Sequence, residues 1–118
     1  GPARADPLCD GARPTLSAQL LFGLSRPDGG RVSKGAFDRF LAERITPSFP
    51  DGLTVFAGWG QWRGPSGRIV HEAARIVLII TAPTPEAVAA LREIQEAYRR
   101  RFTQGAVGLV LQRSCALF

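Results

Sequence analysis

The spacing of apolar residues in this chain switches repeatedly between two periods, and that switching restricts the fold more than any single motif. Leu16, Ala18, Leu20, Phe22 and Leu24 alternate with Ser17, Gln19, Leu21 and Gly23, the period of two expected of a strand with one buried side. Arg26-Pro27-Asp28-Gly29-Gly30 then breaks the pattern with turn-forming residues. From Ser33, a candidate N-cap, the spacing changes to threes and fours: Phe37, Phe40, Leu41 and Ile45 fall on one face of an amphipathic helix. Thr46-Pro47 predicts its end, because the residue before proline is pushed out of the helical region. Phe49-Pro50-Asp51-Gly52 reads as a second turn.

Leu53, Val55, Ala57 and Trp59 form one side of a second strand, while Gly58 and Gly60 on its other side predict a bulge or a close backbone approach. Gly64-Pro65-Ser66-Gly67 is a hairpin loop, and residues 68–81 return as a third strand whose Ile76-Val77-Leu78-Ile79-Ile80 run predicts burial on both faces. A second helix follows, with Thr84 as N-cap, Pro85 in the first helical position and Glu86 in the first turn. Val88, Leu91, Ile94, Tyr98 and Phe102 make its core stripe, and Gly105 is the expected C-terminal stop. Val107, Leu109 and Leu111 open a last strand running toward Phe118.

The order βαββαβ predicts an α+β ferredoxin-like plait: a four-stranded antiparallel sheet with both helices on one face. The 118 residues suit one such domain over 15–118, preceded by an irregular lead-in over 1–14 with three prolines. Gly1-Pro2 and the lack of any methionine read as a tag scar, with a segment such as a signal peptide removed upstream. No apolar run approaches the roughly 20 residues of a membrane-spanning helix.

That topology places the start of the first strand beside the end of the last, and therefore Cys9 near Cys115. A disulfide is the expected outcome, implying an oxidising compartment; the alternative is two unrelated thiols. Closing so long a loop contributes up to ~4–5 kcal/mol in the chain-entropy model. Two cysteines and one histidine do not make up the roughly four ligands of a structural zinc site. No phosphate loop or dinucleotide fingerprint occurs, so neither a metal nor a cofactor is implied.

The net charge is +5, with Lys34 the only lysine among fifteen basic residues. Arg99, Arg100 and Arg101 are the sole cluster, and they close a helix whose C-terminal dipole favours positive charge. RNA-binding plaits stack bases on aromatics in the first and third strands, yet residues 74–80 contain none. Nucleic acid is therefore not an expected partner.

Phe22-Gly23-Leu24-Ser25, Pro47, Phe49-Pro50-Asp51-Gly52-Leu53-Thr54, Gly60-Gln61-Trp62-Arg63 and Glu72 together resemble a family of small exported bacterial proteins known as domain of unknown function 3574. The resemblance runs from about Leu20 to Phe102, and Phe37 stands where the family pattern suggests Trp. It implies a periplasmic, secreted or lipoprotein-like location and assigns no activity. Pro7-Leu8-Cys9 lacks the small residues that precede a lipidated cysteine, which favours the disulfide role for Cys9.

Candidate chemistry gathers on the hairpin of the second and third strands. Gln61, Trp62 and Arg63 face Glu72 and Arg75 across it, and their convergence would clamp a small polar or anionic ligand, with Trp62 as platform and Arg63 as forked donor. The structural alternative is a cross-strand ion pair beneath a packed tryptophan. Glu72 and Arg75 are three apart and share a face only across a bulge. His71, the only histidine, is a candidate general base, but alternation sends it and Glu72 to opposite faces. Two functions follow as expectations. One is a non-catalytic binding or interaction module of the cell envelope, self-associating through an apolar sheet face to form a homodimer. The other is a small-molecule enzyme using Trp62, Arg63, His71 and Glu72.

Overall fold

A computed structural model describes residues 7–118, so the reading of Gly1-Pro2 lies outside the described residues. A turn of 3-10 helix, Pro7–Cys9, leads into β1 (Arg13–Gly23). Then come α1 (Lys34–Phe40), β2 (Thr54–Arg63), β3 (Ile69–Thr81), α2 (Pro85–Phe102) and β4 (Gly108–Ala116). The protein is α+β, with one four-stranded antiparallel sheet in the order β2-β3-β1-β4.

The sheet register follows the alternation in the sequence. Leu20 faces Val77 on β3 and Leu109 on β4, and Ala18 faces Ile79 and Leu111. Leu16, Ala18, Leu20, Phe22, Val77 and Ile79 are buried beneath the helices. The Phe22 ring is the hub of this layer, with its centroid 5.4 Å from Phe37, 6.0 Å from Phe40 and 4.6 Å from Tyr98. Both helices thus pack on the same face of β1. Each such pair contributes ~0.5–1.5 kcal/mol beyond the area it buries.

Both helices begin where their caps predict. Ser33 Oγ accepts from Ala36 N at 3.0 Å, and Thr84 Oγ1 accepts from Ala87 N at 3.1 Å. The first helical run ends at Ile45, just before Thr46-Pro47 as expected, though its last turn, Leu41–Ile45, is π-helical and buries Ile45. α2 stops at Thr103, which takes a left-handed conformation at φ 53°, and not at Gly105. The Gln104 amide behind it reaches the Ser25 carbonyl, a tether that holds the turn in place.

Other expectations are corrected by the register. β1 starts at Arg13, with Pro14 opposite Cys115; this stretch pairs with β4 alone, since the β3 ladder reaches only Leu16 opposite Thr81. β2 and β3 pair without interruption from Thr54↔Leu78 to Arg63↔Ile69, so the glycines of β2 mark no bulge. Gly58 serves a close approach instead, because a Cβ there would lie 2.8 Å from Ile76 Cδ1. The 76–80 run is covered on one side only: Val77 and Ile79 are buried, Ile76 and Leu78 half-buried and Ile80 exposed. Cys9 and Cys115 form a disulfide with their Cα atoms 5.2 Å apart, tying the lead-in to β4.

Candidate functional site

The sheet face turned away from the helices carries Leu21 and Gly23 of β1, Glu72, Ala74 and Ile76 of β3, and Gly60 and Trp62 of β2. Together with the Gln104–Gly105–Ala106 loop and Gly108, they line a hollow of about 610 Å³. Glycines in its lining make room for neighbouring side chains: Glu72 reaches over Gly23 and Leu21 packs against Gly108, while Gly60 lies directly opposite Glu72 on β2.

Glu72 is the one buried polar or charged residue among those described, at 5% exposure. It lies across Gly23: a Cβ on that glycine would come 1.8 Å from Glu72 Oε1. Oε2 accepts the Ser25 backbone N–H at 3.0 Å. Oε1 is buried and has no hydrogen-bond partner among the described residues, nor does the carboxyl take part in any ion pair there. An unpaired buried acceptor costs about 1–3 kcal/mol, so its retention needs a reason.

Neighbouring elements hold this corner still. The Tyr98 hydroxyl donates to the Gly23 carbonyl at 2.6 Å, fixing β1 against α2. Burial holds the Tyr98 hydroxyl far above its ordinary value of 10.0; the charge of Glu72 adds to that rise and Arg75 opposes it. Tyr98 therefore remains a donor across the neutral range. The Gln104 side chain donates to the Ser25 carbonyl, so both groups of the Ser25 backbone are engaged next to the carboxyl.

The structure brings only part of the sequence-derived set together. Gln61, Trp62 and Glu72 line the hollow, and Arg63 and Arg75 do not. Arg63 ends β2 on the opposite side of the strand from Trp62. Arg75 sits on the helix side, across from Phe22, and donates to the Ala74 carbonyl at 3.1 Å. With the register unbroken, Glu72 and Arg75 have no bulge that would put them on one face. His71 stacks on Trp59 at 5.1 Å between ring centroids, on the other side of β3 from Glu72. An acid–base pair of His71 and Glu72 is therefore excluded by geometry.

Gly23, Ser25, Tyr98 and Gln104 were not singled out from the sequence as site residues. One signal was available: a glycine inside a strand pattern marks the close approach of another group.

The chain belongs to the family described as protein of unknown function (DUF3574), whose model matches residues 17–118. No curated protein matches it. Among solved structures it is similar to a phage SAM lyase in complex with S-methyl-5'-thioadenosine, at 18% identity and a TM-score of 0.67 over 86% of this chain and 90% of that one. The same lyase in its apo state aligns at 17% identity and a TM-score of 0.66, over 94% and 87% of the two chains. CutA1 from Oryza sativa aligns at 10% identity and a TM-score of 0.56, over 89% and 84%. At these identities the likeness is one of fold.

Proposed function

We propose that this domain binds a small organic molecule in the hollow on its outer sheet face. The observation that carries the reading is Glu72, a buried carboxyl in the lining of an apolar concavity, with one oxygen engaged by backbone and the other, also buried, without a hydrogen-bond partner among the described residues. Ligand sites combine this kind of apolar lining with a few placed polar groups. The occupant offers a hydrogen-bond donor to Oε1. An anionic ligand, the expectation built on Arg63 and Arg75, is disfavoured because neither side chain lines the hollow.

The interleaved crossovers support reading the architecture as the ferredoxin-like plait: α1 joins β1 to β2 past β3, and α2 joins β3 to β4 past β1. The disulfide supports an exported location, periplasmic or secreted. No helix of the described residues is long and apolar enough to cross a membrane.

A second reading, an enzyme acting on a small molecule in the same hollow, draws on one finding: solved structures of similar fold are of a lyase, one holding S-methyl-5'-thioadenosine. Calorimetric titration with S-methyl-5'-thioadenosine and with SAM, followed by mass analysis of the SAM mixture, separates the readings. Conversion of SAM supports the enzyme. Binding without conversion supports the module. A protein that binds neither these nor any member of a broad metabolite panel sinks both.

A further inference from the structure

We infer that the occupant of the hollow is a small organic cation, its charged group held between the Glu72 carboxyl and the face of Trp62. This rests on the binding reading above and adds the ligand's charge.

The lining supplies the first argument. A chain with fifteen basic residues places none of them in this hollow; its single charged group is an acid. An anionic occupant would meet only like charge there, whereas a cation would meet a carboxyl with one oxygen that has no hydrogen-bond partner among the described residues. Charge-assisted hydrogen bonds of this kind are about twice as strong as neutral ones.

The tryptophan supplies the second, independent argument. Trp62 is 45% exposed on the same face as Glu72, and its ring leans over Gly60, with Cζ3 3.7 Å from the point a Cβ would occupy. Gly60 is the residue directly opposite Glu72 in the β2–β3 ladder. The indole stands by Gly60 on β2 and the Glu72 carboxyl reaches toward Gly23 on β1, so the two border the same hollow from either side of β3. Tryptophan is the strongest of the aromatic platforms for a cation, and an ammonium over its face gains ~0.5–2 kcal/mol. Leu21 and Ile76 offer apolar surface to the rest of the molecule.

The test uses the full chain with its disulfide intact and a panel of ligand pairs matched in shape, each a primary ammonium, which carries N–H donors, and its neutral carbon isostere. Benzylammonium and ethylbenzene make one such pair. Calorimetry is expected to show the cation of a pair binding about tenfold more tightly than its isostere. Glu72→Gln, which keeps the acceptor for Ser25 N–H, is expected to erase that preference, and Trp62→Leu to reduce it severalfold. Should Glu72→Gln fail to fold, the wild-type comparison and Trp62→Leu still decide. Isosteres binding as well as their cations would overturn the charge assignment and leave the binding site standing. A panel in which nothing binds, charged or neutral, would remove the binding reading and this inference with it.

Discussion

Gly23 and Glu72 compete for the same volume, so the identity of one fixes what the other can be. A methyl group on Gly23 would overlap Glu72 Oε1, and the carboxyl cannot swing away without breaking its bond to Ser25 N–H. Gly23→Ala is therefore expected to destabilise the fold by about 1–3 kcal/mol, measured by chemical denaturation, and to abolish binding in the hollow. Double substitution of Gly23→Ala with Glu72→Ala should recover part of that stability but none of the binding. Tyr98, the only tyrosine, makes a second prediction free of interference from others. Its folded pKa is raised, so its stabilising contribution is intact below the unfolded value of 10.0. Above that pH the unfolded chain releases the proton and the buried hydroxyl does not, so stability falls by up to ~1.4 kcal/mol per pH unit. Tyr98→Phe should lower stability at neutral pH by leaving the Gly23 carbonyl unpaired, yet show a flatter decline above pH 10. A parallel decline in both proteins would mean that Tyr98 titrates normally.

At the scale of elements, strands and helix starts were legible because their causes are local. The alternation over 16–24 places every second residue under the helices, and Ser33 and Thr84 both cap as their positions predict. Thr84→Ala is accordingly expected to cost about 1 kcal/mol, seen as a drop in the melting temperature. What escaped the sequence depends on tertiary neighbours. Thr103 pays for a left-handed backbone that Gly105 would adopt freely, because the Gln104 side chain is tethered to Ser25, far away in sequence. The site shows the same division. Trp62 and Glu72 were readable as a hairpin pair, but the groups that shape the carboxyl's surroundings come from other elements. Ser25 is 47 residues from Glu72, and Tyr98 is 75 from Gly23. Arg63 and Arg75 were grouped with Glu72 on closeness in sequence, and strand alternation without a bulge sends both to the other side.

At the scale of the molecule, two features tie distant parts together. The disulfide spans 106 positions and fastens the lead-in to β4, so the Cys9→Ser, Cys115→Ser protein is expected to lose about 2–5 kcal/mol on denaturation in the absence of reductant. The sheet's outer face is the other. Leu21, Phe56, Trp62, Ile80 and Val110 are each at least 38% exposed there, and a monomer in water gains by covering such a surface. A second copy laid sheet to sheet is the cover anticipated from the sequence, and a stable one buries about 800 Å² per partner. Native mass spectrometry without reduction is expected to give a dimer, with each chain two hydrogens short of its reduced mass. Ile80→Glu, set away from the hollow, should convert it to monomer. Cation binding by that monomer then decides how the face is used. Retained affinity would mean that one chain forms the whole site and that the partner only covers it. Affinity lost together with the dimer would mean that the partner's sheet closes the hollow, so that Glu72 meets its ligand only between two copies.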